Sequence, residues 1–397
     1  MPKHRDHREL GRLLELFSFQ EAAPGAPFWL PKGQILFREL EKLVRKINDY
    51  YEYQEISTPL LVKSEVFKKS GHWQHYRKNM FYFKNPLDEN EELVIKPMNC
   101  PESTYVYNTK TRSYRDLPLR LAEIGRLHRN ELSGVLGGLL RVRQMTMDDA
   151  HIYCRPEQVE AEIRKIIEII EKFYGIFDFK PNYVLANRPK DFMGEKDDWD
   201  KAEEALQKAL DHSGVKYKIA QGEGAFYGPK VEAHLKDSQE RIWQMATVQL
   251  DLVMLPKQFD VNYVDEKGKK QMPWVIHRAI LGTFERFIGM LLEHTDANLP
   301  VWLAPLQAIV LNITDKQKDY AEKVFKDLMA AGVRAELNIE NATIGKKIRE
   351  AEVQRIPYIV VVGEKEEKAE TVSVREKTMK LGELLEKVKK EIFQKIF

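Results

Sequence analysis

Apolar residues recur at two different spacings along the chain, and these spacings predict its helices and strands. Apolar positions three or four residues apart predict helices over 37–51, 157–174 and 278–294. Alternating or short apolar runs predict strands over 54–61 and 241–254. Two further strands are predicted within 117–154, joined by the glycine-containing loop 133–138. An antiparallel hairpin is therefore expected at the centre of a long first region.

The pattern changes after the segment 296–300, where Asp-Ala-Asn-Leu-Pro ends the last long helical pattern. From there strands and helices alternate, which predicts a small α/β domain. The charged run 364–370 is expected to be a solvated turn. The domain boundary is accordingly predicted at residue 300, giving domains 1–299 and 300–397. The expected elements are strands 307–313, 333–337, 358–362 and 371–374, and helices 316–331, 344–354 and 381–396.

Composition narrows the class of protein. The 397 residues are 43% apolar and 31% charged, which is typical of a globular protein, and no apolar run is long enough to cross a bilayer. The polar N-terminus lacks a secretory signal, so a cytoplasmic location is expected. Two cysteines are too few for a disulfide framework. The net charge of +2 neither predicts nor excludes an RNA partner.

Strand periodicity places an unusual set of polar residues on one face of the predicted hairpin. Residues of equal parity share a face, so Arg129 and Glu131 lie together on the first strand. A solvated strand face would explain the charges, but interleaved methionines favour a partly enclosed pocket. Arginines bind phosphate oxygens, and the sequence has no GxxxxGK[ST] loop, so a nucleotide would be held by side chains. The same-face set on the second strand is Arg141, Arg143, Met145, Met147, Asp149 and His151.

Short motifs in a fixed order resemble a known family. The segments 129–131 and 141–143 resemble motif 2 of class II aminoacyl-tRNA synthetases, 282–286 resembles motif 3, and the strand ending at Pro59 resembles motif 1. The resemblance to the threonyl-tRNA synthetases extends from about Arg5 to the C-terminus. It implies an α+β fold in which an antiparallel sheet flanked by helices precedes an α/β anticodon-binding domain. The more specific motifs are KPMNCP (96–101), DDAHIYC (148–154), YGPK (227–230), TVQLD (247–251) and HRAILG (277–282).

The resemblance implies an ATP-dependent ligase that forms threonyl-adenylate and transfers threonine to its tRNA, acting as a homodimer. By analogy, Arg129 binds the α-phosphate of ATP and Arg286 the γ-phosphate, with Mg²⁺ neutralising the remaining charge. Arg141 would contact the β and γ end, and Glu131 would read the adenine amino group. In the predicted helix, Gly282 shares a face with Arg286, which either admits the nucleotide or serves helix packing.

The family also implies one zinc ion per subunit, held by Cys100, His151 and His277. Their spacing alone would not predict a metal site, because it lacks the pairing of a zinc finger. Cys154 has the opposite strand parity to His151 and is expected in the core. Three ligands leave one position open for the amino and hydroxyl groups of threonine, which excludes valine.

Serine keeps the hydroxyl group and lacks only a methyl group, worth roughly 1–3 kcal/mol of discrimination. Misacylation with serine is therefore expected. Many family members correct this error with an N-terminal editing domain, which this chain is expected to lack. A separate hydrolase, or tolerance of the error, would then replace it.

Further site residues follow from the same resemblance. Asp149 is expected to pair with the amino group of threonine. His72 matches a position implicated in the transfer step, although a surface loop would also explain it. Met147, where the family usually has glutamine, and 102–103, where it usually has Gly-His, depart from the pattern. The remaining expected pocket residues are Tyr227, Lys230, Thr247 and Gln249, of which Lys230 and Gln249 are expected to be catalytic together with Arg129, Arg286 and His72.

The C-terminal domain is expected to read anticodon bases through side-chain hydrogen bonds. Two alternatives remain open: a synthetase-like paralogue that binds RNA or acylates another acceptor, and a regulatory RNA-binding module without nucleotide turnover. The expected anticodon contacts are Asn341, Arg355, Glu366 and Arg375.

Overall fold

The computed structural model describes residues 5–237, 239–375 and 377–393. Thirteen α-helices occur in this part of the chain. They are α1 (His7–Leu13), α2 (Pro31–Tyr50), α3 (Ser64–Lys69), α4 (His72–Tyr76), α5 (Cys100–Tyr107), α6 (Val159–Gly175), α7 (Lys196–Ser213), α8 (Met254–Gln258), α9 (Phe284–Thr295), α10 (Lys318–Ala330), α11 (Ile344–Val353), α12 (Glu364–Ala369) and α13 (Leu381–Phe393).

The same residues contribute twenty-one strands, many of them only two or three residues long. They are β1 (Phe17–Phe19), β2 (Pro27–Trp29), β3 (Gln54–Glu55), β4 (Leu61–Lys63), β5 (Phe81–Asn85), β6 (Asp88–Ile95), β7 (Arg112–Ser113), β8 (Leu119–His128), β9 (Gln144–Cys154), β10 (Asn182–Ala186), β11 (Tyr217–Ala220), β12 (Lys230–Lys236), β13 (Ile242–Asp251), β14 (Tyr263–Val264), β15 (Lys270–Gln271), β16 (Trp274–Ala279), β17 (Ala308–Asn312), β18 (Ala335–Asn338), β19 (Tyr358–Val362), β20 (Thr371–Val374) and β21 (Lys377–Lys380).

The chain divides into two compact units. One comprises residues 21–26 and 44–290, and the other comprises 1–20, 27–43 and 291–397. The predicted boundary at residue 300 stays a prediction.

An eight-stranded sheet dominates the first of these units, in the order β11-β10-β12-β13-β16-β9-β8-β3. Neighbouring strands are antiparallel except for the pairs β10–β11 and β3–β8. Helix α6 packs one apolar face against this sheet, because its isoleucines recur at helical spacing and are buried. This is the predicted antiparallel sheet flanked by helices.

The two faces of β9 have different neighbours. Arg120, the cross-strand partner of Ile152, binds Glu162 of α6 with its Nε and Nη2 groups at 2.7 Å, so α6 covers the face that carries Ile152. Asp149 and His151 have the opposite parity and therefore lie on the other face. The sheet thus separates a helix-covered apolar side from a side that carries polar residues.

The unit that contains the C-terminal region holds a five-stranded sheet in the order β18-β17-β19-β20-β21. Its first three strands are parallel, and β20 and β21 continue the sheet in antiparallel fashion. Buried residues of β17 and β19 pack with those of α10 and α13 into one core. The predicted α/β arrangement is confirmed.

The predicted strand over 54–61 is wrong in extent. Gln54 and Glu55 pair with β8 in the large sheet, whereas Leu61 begins β4 of a separate three-stranded sheet. Pro59 lies between them and cannot donate a backbone hydrogen bond, so the ladder is interrupted there. The Thr58 backbone N–H donates instead to the Glu123 carboxylate at 2.8 Å.

The predicted hairpin exists, but its strands stop short of the arginines. Strand β8 ends at His128 and β9 begins at Gln144, so 129–131 and 141–143 belong to the connection. The Arg129 backbone N–H still donates to the Arg143 carbonyl oxygen at 2.8 Å. Strand parity therefore does not apply to these residues. Those of them that line one cavity do so because the connection between the strands folds back, and not because they share a strand face.

The predicted helix over 278–294 is wrong in its first third. Arg278 belongs to β16, and α9 begins only at Phe284. Gly282 lies between them with φ +81°, and a Cβ atom there would approach the Met245 carbonyl oxygen to 2.6 Å. Gly282 and Arg286 therefore do not share a helical face, because an apolar run alone does not distinguish a strand from a helix.

Two smaller differences lie near the C-terminus. The charged run forms helix α12, whose first turn is capped by the Glu366 carboxylate accepting from the Gly363 N–H at 3.0 Å. Strand β21 was not predicted. Helix α13 is described to Phe393, and the predicted continuation to residue 396 lies outside the described residues, as does part of the polar N-terminus. Within the described ranges, no helix is long and apolar enough to cross a membrane.

Candidate active site and metal centre

Three residues that are far apart in sequence meet at one buried point. His151 on β9 is the cross-strand partner of His277 on β16, and Cys100 is the first residue of α5. Their potential ligand atoms all lie within 4.8 Å of one another. His151 Nε2 and His277 Nδ1 are buried and have no hydrogen-bond partner among the described residues. Two orphaned imidazole nitrogens facing a thiol fit a zinc ion with three protein ligands.

The carboxylate of Asp251 contacts His277 at the ring nitrogen that does not face the cluster. Asp251 Oδ2 lies 3.3 Å from His277 Nε2, so a proton on Nε2 leaves Nδ1 as the lone-pair donor. The other contacts of Asp251 fix it in place, since it accepts the backbone N–H groups of Val253, Met254 and Leu255. The imidazole orientation is therefore set by the start of α8.

The protonation states of the cluster suit a cation. Burial, together with the charge of His277, lowers the pKa of His151 well below its usual value, so its imidazole is neutral and can act as a ligand. Burial and the nearby carboxylate of Asp149 raise the pKa of the Cys100 thiol. A bound cation would offset that cost by stabilising the thiolate.

An open cavity of about 610 Å³ adjoins the cluster. Asp149 lines it and accepts a hydrogen bond from Asn99 Nδ2 at 3.1 Å. Burial raises the pKa of Asp149 to about 6, although the Asn99 hydrogen bond opposes that shift. Gly125 leaves the space that Asn99 fills, because a Cβ atom there would lie 2.3 Å from Asn99 Oδ1.

The opposite wall of the cavity comes from β12, β13 and the preceding loop. Gln249 pairs with His277 on one side and with Lys230 on the other. The Tyr227 hydroxyl donates to Gln249 Oε1 at 3.1 Å, and Lys230 pairs with Glu232. Thr247 also lines the cavity. All four predicted pocket residues therefore surround the same space as Asp149.

The predicted nucleotide residues line the same cavity. Arg129, Glu131, Arg141 and Arg286 all contribute to its wall. Glu131 accepts from Arg141 Nη2 at 2.9 Å, and Arg129 Nε donates to the Pro97 carbonyl oxygen at 3.2 Å.

The Arg286 side chain is part-buried and is held by backbone acceptors. Its Nε donates to the Leu140 carbonyl oxygen at 2.9 Å and its Nη1 to that of Gln244 at 2.7 Å. Burial and the neighbouring charges of Arg129 and Arg141 lower its pKa to about 10, so it remains charged at neutral pH. These arginines form an anion-binding wall about an open space.

His72 also lines the cavity and is buried rather than on a surface loop. Its Nδ1 lies 2.8 Å from Ser70 Oγ, and its ring contacts those of Phe226 and Tyr227. Burial lowers its pKa to about 3, so the imidazole is neutral. Met147 lines the same cavity.

The second departure from the family pattern lies just behind the cavity. Ser103 Oγ lies 2.7 Å from the Tyr153 hydroxyl, so these two side chains satisfy each other. Glu102 is buried without a hydrogen-bond partner for its carboxylate among the described residues, and burial raises its pKa to about 8. Cys154 is fully buried in the core, as predicted.

The four predicted anticodon residues lie in the unit that contains the C-terminal sheet, but not all at one place. Arg355 and Arg375 line the same open groove. Asn341 is exposed before α11. Glu366 caps α12 and accepts from Ser373 Oγ at 2.8 Å, which gives it a structural role. Arg355 is paired with Asp296.

Sequence reasoning did not identify Asn99 or Asp251 as functional residues. Both lie inside the motifs that carry the resemblance, KPMNCP and TVQLD, and this was the available signal. Neither is a ligand or a charged wall residue, and their contacts to Asp149 and His277 depend on the folded structure.

Comparison with known proteins agrees with this architecture. Residues 81–295 match the family model of the tRNA synthetase class II core domain (G, H, P, S and T), and residues 307–391 match that of the anticodon-binding domain. The threonine–tRNA ligase of Acetivibrio thermocellus is 49% identical over 373 residues, covering 94% of this chain and 58% of the relative. That of Clostridium tetani is 46% identical over 400 residues, covering 99% and 62%.

A crystal structure of the RNA-binding domain of threonyl-tRNA synthetase from Cryptosporidium parvum matches with a TM-score of 0.93. It is 40% identical, and the match covers 98% of each chain. This chain spans about 60% of the length of the curated relatives that it matches. The fold, the two family models and this likeness over nearly the whole of both chains show that the chain belongs to the threonyl-tRNA synthetase family of class II aminoacyl-tRNA synthetases.

Proposed function

We propose that the protein activates threonine with ATP to form threonyl-adenylate and transfers it to the 3′ end of threonine tRNA. One observation carries the proposal: Cys100, His151 and His277 converge beside the same cavity that Arg129 and Arg286 line. A metal-assisted amino-acid site and an anion-binding wall thus share one space. We assign residues 1–299 to the catalytic domain and 300–397 to the anticodon-binding domain.

The residues suggest how each substrate is held. Cys100, His151 and His277 would hold a zinc ion, which would act as a Lewis acid for the amino and hydroxyl groups of threonine. Asp149 offers a carboxylate to the substrate amino group, and Asn99 holds that carboxylate in place. Tyr227 and Gln249 orient each other and close the opposite side. Valine lacks a hydroxyl group and would leave these polar groups unsatisfied, which costs far more than a lost methyl contact.

The arginines accommodate the nucleotide. We assign Arg129 to the α-phosphate, where its charge stabilises the transition state of in-line attack by the threonine carboxylate. Arg286 and Arg141 take the γ end, and Mg²⁺ bound with ATP balances the remaining charge. Glu131, which the guanidinium of Arg141 already orients, is positioned to read the adenine amino group.

Transfer to tRNA requires a group near the acceptor hydroxyl. His72 lines the cavity with a neutral imidazole, so we assign it to orient the acceptor hydroxyl group through a hydrogen bond. Lys230 lies beside Gln249 and adds positive charge near the reacting carboxylate. In the C-terminal unit, the groove with Arg355 and Arg375 supports an anticodon contact, which Asn341 and Glu366 would extend.

A homodimer is proposed in the cytoplasm. Large apolar side chains are exposed on one face of the small sheet formed by β4, β5 and β6, where strand register places Leu61 and Phe83 on the same side. Exposed apolar side chains that share a face mark interaction sites, and this face suits a second copy of the chain. Sedimentation equilibrium of the purified protein tests this, and a monomer at micromolar concentration would contradict it.

The pocket provides no means to reject serine beyond one methyl contact, so we propose that seryl-tRNA is formed. We propose that a separate hydrolase removes it or that the error is tolerated. Efficient deacylation of seryl-tRNA by the purified chain alone would contradict this assignment.

Threonine-dependent exchange of pyrophosphate into ATP tests the central proposal, repeated after chelation of zinc and after its return. We expect exchange that is lost and regained with zinc. Absence of exchange in the metal-loaded protein would refute the proposal. Met147 in the cavity wall favours one alternative, a synthetase-like paralogue with another acceptor. Exchange without charging of threonine tRNA would support that alternative.

A further inference from the structure

Arg286 is held by backbone acceptors on its edge and by an aromatic ring on its face. The Trp243 ring centroid lies 5.4 Å from the Arg286 guanidinium carbon. Arg286 lines the cavity, whereas Trp243 is not part of its wall. The indole therefore lies behind the guanidinium, away from the space that a nucleotide would enter.

The indole is itself fixed by a buried carboxylate. Trp243 Nε1 donates to Asp237 Oδ2 at 2.8 Å, and the Asp237 side chain is fully buried. The backbone N–H groups of Gln239 and Arg241 donate to Asp237 Oδ1 at 2.8 and 2.9 Å. The Arg241 Nε group also donates to Asp237, so this buried carboxylate accepts four hydrogen bonds in total. Together they fix the indole ring and the adjacent turn.

The chemistry of this stack explains why a ring is useful there. Arg286 is largely enclosed and lies near two other arginines, so its charge is costly in the absence of ATP. An aromatic face attracts a cation without offering a carboxylate that would compete with phosphate oxygens for it. The ring also restricts the rotamers of a long side chain, which lowers the entropy lost on binding.

We propose that Trp243, held by Asp237, is a positioning residue that orients Arg286 for the phosphates of ATP. The inference rests on the proposed function and deepens its ATP site. Trp243 contacts neither substrate; it acts through Arg286.

Pyrophosphate exchange by the zinc-loaded protein tests the inference, with ATP and threonine varied separately. We expect Trp243→Leu to lower kcat/KM for ATP about five- to twentyfold, which corresponds to a cation–π interaction in a largely enclosed site. The KM for threonine should change less than about twofold. Trp243→Phe keeps an aromatic face and should retain activity within about threefold. Asp237→Asn should give an intermediate loss.

A matched control is available in Trp73, whose ring lies 4.7 Å from the Arg77 guanidinium carbon outside the cavity. Trp73→Leu removes a comparable stack and should leave kcat/KM for ATP unchanged. Equal losses in the phenylalanine and leucine variants of Trp243, or a matching change in the threonine KM, would overturn the inference. If Trp243→Leu does not fold, the kcat/KM for ATP of Trp243→Phe and Asp237→Asn still separates an effect on ring orientation from an effect on folding.

Calorimetric titration with MgATP distinguishes failure of the inference from failure of the proposed function. A wild-type chain that binds MgATP without exchange would contradict the proposed function, while weaker MgATP binding by Trp243→Leu would still support the role of the indole. Unchanged MgATP affinity in that variant would refute the inference even if exchange is robust.

Discussion

Replacing Asp251 with asparagine tests the support behind the metal centre. Asp251 Oδ2 lies 3.3 Å from His277 Nε2, and both side chains are buried. The carboxamide of Asp251→Asn would retain one oxygen for the N–H groups of Val253 and Met254, which now donate to Oδ1 at 2.9 and 2.7 Å. The amide nitrogen would replace the charged acceptor that faces the imidazole. The change therefore removes the orienting charge while keeping the volume.

The magnitude follows from the contacts that are lost. Loss of a carboxylate behind a histidine ligand typically weakens metal binding about 10- to 100-fold. That range corresponds to about 1.4–2.7 kcal/mol. The Leu255 N–H, which donates to Oδ2 at 2.8 Å, also loses its acceptor, so the apoprotein should be destabilised by roughly 1–3 kcal/mol.

Two measurements separate these effects. Competition with a chelator of known zinc affinity gives the dissociation constant, and urea denaturation of the apoprotein gives its free energy of unfolding. Asp237→Asn is the control, because Asp237 is an equally buried carboxylate that accepts backbone N–H groups and is not in contact with a zinc ligand. Unchanged zinc affinity in Asp251→Asn, or an equal decrease in Asp237→Asn, would refute the reasoning.

Three further predictions address positioning, packing and pH. Asn99→Ala removes the hydrogen-bond donor that lies 3.1 Å from Asp149. In pyrophosphate exchange it should raise the KM for threonine about five- to tenfold and leave the KM for ATP constant. Equal changes in both KM values would contradict the role of Asn99. In the wild type, Arg278 Nη1 lies 2.6 Å from the buried carboxylate of Asp148. Arg278→Met leaves that carboxylate without its cation and should lower the free energy of unfolding, measured by urea denaturation, by about 3–5 kcal/mol. A loss below about 1 kcal/mol would contradict this prediction. Burial raises the pKa of Glu285 to about 7, above its usual 4.5. Between these values the folded state binds more protons than the unfolded state, so the free energy of unfolding should fall as pH rises from 4.5 to 7, by up to about 3 kcal/mol. Glu285→Gln should remove that part of the pH dependence in urea denaturation at about pH 5 and about pH 8, and an identical pH dependence in both proteins would contradict the assignment.

Periodic elements were predicted well where burial on one face fixes the pattern. Helix α6 and strands β19 and β20 match their predicted positions within two residues. Helix α6 buries one apolar face and β19 packs apolar residues on both faces, so the burial pattern is regular in each. The first third of the predicted helix over 278–294 failed for the opposite reason. There a buried strand, a left-handed glycine and a helix start follow one another within one largely apolar stretch.

The candidate site likewise contains residues whose positions periodicity predicted and residues whose positions it did not. Strand parity alone predicted that Asp149 and His151 share one face of β9, and the structure shows that this is the face opposite to α6. Strand parity failed for Arg129 and Arg141, because both lie in the connection between the strands. Arg141 is held there by the Glu131 carboxylate. No local rule in the sequence describes such a connection, since its course depends on what each residue contacts across the fold.

The sequence by itself determined the large antiparallel sheet, the α/β region that follows it and the family, because these depend on periodicity and on motifs of contiguous residues. The family resemblance named Cys100, His151 and His277 together, but only the tertiary structure showed that the two histidines lie on paired strands. Only the tertiary structure, too, decided that Asp251 contacts a ligand and that Trp243 contacts an arginine. Those contacts join residues up to about 180 positions apart in the chain, and the pairing of β9 with β16 and the packing of α5 on the sheet bring them together. Local sequence sets the direction of a side chain, whereas its partner is set by the packing of the whole sheet.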